Sequence, residues 1–259
     1  MTQMLTNTST FAESAPARNV DEQTVQPVPG TSFSVESGEV SYLSTMKSVK
    51  SIYWPNAIWI VLMHLGVLLA PFTFSWSGLA ICALLHWMTG GLGICLGYHR
   101  LLTHRSFQVP KPLEYLLTLL GSLATQGGAL EWVGKHRIHH RFSDEPGDPH
   151  SPKDGHWWSH MLWVILRNDE TDNPRMWKQY VPDLLKDPAH RVLHHMHIVW
   201  PLALAAGLYL LGGLSWLVWG MFVRTVLVYH CTWFVNYASH VWGYRSYPTR
   251  DGSRNLWWV

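Results

Sequence analysis

The chain is poor in charge. Of its 259 residues only 14% are Asp, Glu, Lys or Arg, against roughly 25% in ordinary soluble domains. Lys and Arg number 19 and Asp and Glu 17, a balance that marks no nucleic-acid or acidic partner. Cysteine is scarce as well. Cys82, Cys95 and Cys231 all lie in apolar segments without a CxxC pair, which argues against a disulfide framework and for small packing residues. Residues 1–50 lack the basic start and apolar core of a secretory signal. Their mixed Ser, Thr, Glu and Val content reads as a disordered, soluble extension preceding one domain over residues 51–259. No flavin or nicotinamide fingerprint is present. The nearest pattern, Gly93-Ile-Cys-Leu-Gly97, has no βαβ context and reads as small-residue helix packing.

Charge vanishes entirely over residues 51–99. Pro71–Ser77 divides this stretch into two spans, about Tyr53–Leu69 and about Gly78–Leu96. Each is close to the ~20 residues needed to cross roughly 30 Å of hydrocarbon. A second pair, about Val199–Leu211 and about Trp216–Val235, flanks Gly212–Ser215. Neither short connector carries a charge, whereas residues 99–191 hold 12 of the 19 basic residues and 11 of the 17 acids. Every substantial polar segment therefore falls on one side, and its basic bias makes that side cytoplasmic. The expected fold is all-α: a polytopic membrane protein with four transmembrane helices, a cytoplasmic helical cap and both termini on the cytoplasmic side. Tryptophans such as Trp54, Trp76, Trp200 and Trp216 sit toward span ends, as interfacial aromatics do.

Histidine is abundant, with 16 in the chain. Three groups fall where the topology brings the chain to the same rim. His99 and His104 follow the second span. His136, His139 and His140 stand at i, i+3 and i+4, on one side of a helix. Asn236 and His240 lie one turn apart at the end of the fourth span. Imidazole nitrogen suits iron, zinc, copper or nickel, so the ligand type alone names no metal.

The segments His99–His104 (HRLLTH), His136–His140 (HRIHH) and Asn236–Gly243 (NYASHVWG) resemble the membrane fatty acid desaturases of the Δ9 acyl-CoA and acyl-lipid type. The linking stretches Gly147–Pro152 and Gly155–His160 are similar to that family too, and the likeness covers about residues 50–259. The resemblance implies a four-span helical fold, two iron ions held by histidines, and insertion of a cis double bond into an acyl chain with dioxygen and two electrons. It implies that His99, His104, His136, His139, His140 and His240 ligate iron and that Asn236 orders a water beside one ion. It also places Gln126, Trp132 and Thr232 at the bend of an acyl tunnel. A third box, HxxHH, is expected after the stretch resembling Arg254–Val259, where this chain ends. Six of nine family ligands are therefore expected here, with activity belonging to a full-length form.

The substrate is expected to be an acyl-CoA or an acyl-lipid. A ferredoxin or a cytochrome b5 is the expected electron donor, membrane lipid the surroundings, and nucleic acid no partner. Alternatives are a related membrane di-iron hydroxylase, a membrane metal or haem carrier, and an inactive truncated remnant. The other histidines are expected to be structural: His190, His194, His195 and His197 as a membrane-surface helix end, His150, His156 and His160 as structural or substrate-adjacent, and His64 and His86 as bonding between helices. Arg224 is expected either to function within its span or to snorkel to the far surface. Lys135, Arg137 and Arg141 are expected either to meet a phosphate-bearing head group or to be ordinary cytoplasmic charge.

Overall fold

The computed structural model describes residues 49–168, 172, 174–248 and 251–258, all within one compact unit spanning residues 40–259. The extension expected over residues 1–50 lies outside the described residues except for its last two. Those two begin a strand, β1 (Val49–Ile52), which pairs antiparallel with β2 (Leu166–Asn168), Ile52 opposite Leu166. This short ribbon is the one sheet among the described residues, and the structure is otherwise mostly helical, in keeping with the expected all-α class. The ribbon forms because the chain entering the first helix is tied to a distant segment: Tyr53 N donates to Ile165 O at 2.7 Å and Asn56 Nδ2 to Val164 O at 3.1 Å.

Helix α1 (Trp54–Val67) carries Pro55 in its first turn, where a missing N–H leaves no bond unmade. After a 3-10 turn at Ala70–Phe72, Ser75 caps α2 (Trp76–His86) by accepting the Gly78 N–H at 2.9 Å. Helix α2 continues without a break into a π-type segment, Trp87–Thr103, making a 28-residue rod from Trp76 to Thr103. The rod outlasts the expected span, which stopped near Leu96, because α3 (Lys111–Ser122) folds back along it. Gly93 and Gly97 permit this approach. A Cβ on Gly93 would stand 2.5 Å from the backbone of Leu120 and Gly121, and one on Gly97 would stand 2.9 Å from Leu117 O. The small-residue pattern is thus a packing device, as expected.

The chain then turns at Thr125 (φ 59) and Gly127 (φ 93) into α4 (Ala129–Phe142). Short helices α5 (Pro174–Tyr180), α6 (Pro182–Lys186) and α7 (Pro188–His195) follow. Helix α8 (Val199–Leu217) breaks at Gly213, whose φ of 64 and ψ of −155 no helix adopts. Leu208 and Met221 then join Met63 in one apolar cluster, although thirteen residues of straight helix would hold them ~20 Å apart. The chain therefore reverses at Gly213. It returns through a π-type segment, Val218–Val223, into α9 (Arg224–Val241).

Among the described residues three helices are long and apolar enough to cross a membrane: Trp54–Phe72, Trp76–Thr103 and Val199–Val241, the last containing the reversal. Only 17%, 22% and 11% of their most apolar windows are buried inside the protein. Leu62, Leu65, Leu68, Leu210 and Leu211 face outward, an apolar surface that suits hydrocarbon rather than water.

Arg224 sits inside this bundle with 0% exposure, so the snorkelling alternative is overturned. Its Nε donates to Gly220 O at 3.0 Å and its Nη1 to Leu123 O at 2.7 Å, at the carboxyl end of α3. The largest core cluster, including Tyr98, Leu101, Leu117, Leu130, Val133 and Val228, fills the junction of the π segment, α3, α4 and α9. It forms the floor on which the histidines stand.

Candidate metal centre

His99 and His104 are five residues apart. At ~100° per residue an α-helix would turn them about 140° away from each other. The π-type segment changes this, because His104 N bonds to His99 O at 3.0 Å and the wider turn brings residue i+5 back toward residue i. Their Nε2 atoms stand 3.0 Å apart. On α4 the i, i+4 pair His136 and His140 brings its Nε2 atoms to 3.1 Å. The two pairs face each other, with ring centroids 4.8 Å apart for His99–His136 and 4.5 Å for His104–His140. One nitrogen from each of the four lies within 4.8 Å of all the others.

Two nitrogens each ~2.1 Å from one metal, a bond length ordinary for imidazole, would be separated by about 3 Å. The four-histidine group fits such an ion. The electrostatics agree, since a ligating imidazole must be neutral. Burial, and after it the neighbouring imidazoles, pushes His140 down to about 4. The same causes take His136 well below its ordinary value, and burial lowers His104.

The remaining two expected ligands meet beside this group. His139 shares that face of α4 but turns toward α9, its ring centroid 5.5 Å from that of His240. Each is held through Nδ1 by an aspartate that sequence reasoning did not single out. His139 Nδ1 donates to Asp148 Oδ1 at 2.9 Å, and His240 Nδ1 to Asp144 Oδ2 at 2.7 Å. With Nδ1–H engaged, Nε2 is left as the free donor atom on both rings. Asp144 N also donates to Asp148 Oδ2 at 2.8 Å, so one acidic loop orients both imidazoles. Burial alone would raise the Asp144 carboxyl, but the bonds from His240, Gly252 and Ser151 hold it at about 2. The available signal was two acids four residues apart immediately after HRIHH.

His150 lies beside His139 with centroids 4.2 Å apart and the rings tilted by 32°, and with Asp148 these form a second group that could hold an ion. Asn236 is half-buried on α9, one turn before His240.

The three expected tunnel residues come together. Gln126 Nε2 donates to Thr232 Oγ1 at 2.7 Å, and Trp132 Nε1 donates to Gln126 Oε1 at 3.2 Å. Trp132 also lies against His136, centroids 4.9 Å apart, which joins this triad to the four-histidine group. Thr125, just before Gln126, is β-branched with a left-handed backbone, a strained state that persists where neighbours over-determine it.

Other expectations fare differently. His190 Nε2 meets Glu114 Oε1 at 2.7 Å, but Lys111 Nζ already lies 2.7 Å from Glu114 and 3.2 Å from Asp187, in the place a cation would take. His64 bonds His230, Nε2 to Nε2, at 3.0 Å, and His160 Nε2 reaches His230 Nδ1 at 3.0 Å. His156 packs edge-on against Tyr237. His86 Nδ1 has no hydrogen-bond partner among the described residues. Lys135 is paired with Glu131 and Asp172, each at 2.8 Å, and Arg137 grips Asp183 through two bonds of 2.8 and 3.0 Å. Neither is available for a head group; Arg141 is exposed.

Comparison with known proteins places this arrangement. The family model described as fatty acid desaturase matches residues 73–259. The chain is 51% identical over 211 residues to an sn-1 stearoyl-lipid 9-desaturase of Anabaena variabilis, covering 80% of this chain and 76% of that protein. It is 48% identical over 207 residues to an sn-2 palmitoyl-lipid 9-desaturase of Nostoc sp. (strain 36), covering 80% and 73%. It is 46% identical over 222 residues to a chloroplastic palmitoyl-monogalactosyldiacylglycerol delta-7 desaturase of Arabidopsis thaliana, covering 82% and 60%. With histidines converging at the end of an apolar helical bundle and relatives of this kind, the chain belongs to the fatty acid desaturase family.

Proposed function

We propose that the chain is the di-iron core of an acyl-lipid Δ9 desaturase, inserting a cis double bond into a saturated acyl chain. The observation that carries this is the convergence of four imidazoles from two helices beside the Trp132–Gln126–Thr232 triad. His99, His104, His136 and His140 would hold one iron, and His139 and His240 would contribute to the second, with Asn236 reaching it through water. Iron bound there, with dioxygen and two electrons from a ferredoxin or cytochrome b5, supplies the hydrogen-abstracting power that side chains lack.

The protein's own part is positioning. Asp144 and Asp148 fix the two imidazole orientations. The core beneath the histidines keeps water from the acyl chain, and Gln126, Trp132 and Thr232 mark where that chain bends. The 9-desaturases among its relatives favour the Δ9 position, and their lipid-linked substrates favour a glycerolipid over acyl-CoA. An acyl-CoA 5-desaturase of Anemone leveillei is 41% identical over 197 residues, which makes acyl-CoA the alternative carrier.

The reversal at Gly213 supports four crossings, and the 12 basic residues of the polar stretch 99–191 favour the cytoplasmic side for the histidine groups and both termini. The test is expression of the full gene product in bacteria that make no Δ9-unsaturated lipid, followed by mass spectrometry of the acyl chains. New cis-9 chains that disappear with His136→Ala support the reading. Hydroxylated chains, or unaltered lipids from an iron-loaded protein, would refute it.

A further inference from the structure

One fully built polar network near the proposed acyl bend has no part in holding metal. The hydroxyl of Tyr229, on α9 with 1% exposure, uses every bond it can make. It accepts from Trp59 Nε1 at 3.1 Å, lies 2.6 Å from Thr125 Oγ1 and donates to Thr125 O at 2.8 Å. The phenol's single proton goes to the Thr125 carbonyl, so the Thr125 hydroxyl must be the donor in the bond between the two hydroxyls. The residue clamped in this way has a φ of 59. A β-branched side chain has little reason to hold that conformation unless something outside it insists.

Gln126 is the next residue along the chain. Its amide reaches Thr232, which sits three positions after Tyr229 on the same face of α9 and bonds back to Tyr229 O at 3.1 Å. One turn of α9 therefore reads two successive residues of the reversing chain, Thr125 through Tyr229 and Gln126 through Thr232.

We propose that Tyr229 is a positioning residue that fixes, through the left-handed Thr125, the height of Gln126 along α9 and so the position at which an acyl chain bends. The inference rests on the acyl-channel reading above and adds the residue that sets its register. The tyrosine does not touch the reacting atoms. Its removal moves the bend rather than the metal, and its signature is a loss of discrimination among chains kinked at different carbons.

The experiment measures binding of cis-6-, cis-9- and cis-11-octadecenoic acid to the detergent-purified full chain by quenching of tryptophan fluorescence. Wild-type protein should favour one positional isomer, and Tyr229→Phe should reduce that preference by roughly tenfold, the scale of one buried hydrogen bond. Thr125→Val should do the same, while Thr125→Ser, which keeps the hydroxyl, should preserve the preference. Tyr209→Phe, at a side chain 55% exposed, should change nothing. Equal discrimination in wild type and Tyr229→Phe would overturn the assignment while leaving the channel intact. A wild-type protein that binds all three isomers alike would overturn the channel reading itself, and this proposal with it.

Discussion

Replacing Asp148 with Asn tests whether the acidic loop tunes the candidate metal centre or merely braces the fold around it. Asp148 has 0% exposure, and its two oxygens accept three hydrogen bonds: Oδ1 from His139 Nδ1 at 2.9 Å and His150 N at 3.1 Å, Oδ2 from Asp144 N at 2.8 Å. All three partners are donors. An amide offers one accepting oxygen, so in either orientation an NH2 group faces an N–H, and at least one buried bond is lost. The unsatisfied donor costs about 1–3 kcal/mol of stability.

A second effect follows at His139. Without a carboxylate opposite Nδ1, the ring no longer has a strong reason to keep its proton there and offer Nε2. Loss of such a supporting bond typically weakens metal affinity 10–100-fold, which is about 1.4–2.7 kcal/mol. The assay is iron competition against a chelator on purified protein, paired with a thermal melt in metal-free buffer. Both quantities should fall. A lowered melting temperature with unchanged iron affinity would refute the orienting role and leave Asp148 a structural residue only.

Asp183 should make the packing of α4 against α6 sensitive to acid. Partial burial would raise its carboxyl, but the bonds from Arg137 and Arg105 bring it well below its ordinary 3.8. A depressed folded-state value means the stabilisation is complete above the ordinary value and is lost as pH falls toward the folded one. Melts across acidic pH should show a steeper loss for wild type than for Asp183→Asn, and identical slopes would count against the pair. Gly93→Leu should destabilise by about 1–3 kcal/mol through overpacking, because its Cβ position lies 2.5 Å from the backbone of α3. A thermal shift of zero in detergent would show that α3 does not press against the long helix.

Much of this molecule was legible in order of residues. The uncharged stretch over residues 51–99 and the second apolar pair give the long helices by length and hydropathy alone. The i, i+3, i+4 spacing of His136, His139 and His140 gives a helix face, and here the face divides, with His136 and His140 turned to one group and His139 to the other. Less was legible wherever a local feature depends on a distant partner. HxxxxH gathers two imidazoles only because the helix carrying them is π-wound, which an α-periodicity reading does not supply. The β-ribbon joining residues 49–52 to 166–168 and the burial of Arg224 against Leu123 O were equally invisible.

What the sequence determined by itself is chemistry and solvent: histidine groups able to ligate metal, and apolar segments long enough for a bilayer, since side-chain type and hydropathy are properties of single residues and short runs. What only the tertiary structure decided is which groups meet. Asp144 and Asp148 became the partners of His240 and His139, and Tyr229 the clamp on Thr125. Those pairings join residues up to 104 positions apart, and hydrogen bonds act over about 3 Å, a range set by packing and unrelated to separation along the chain.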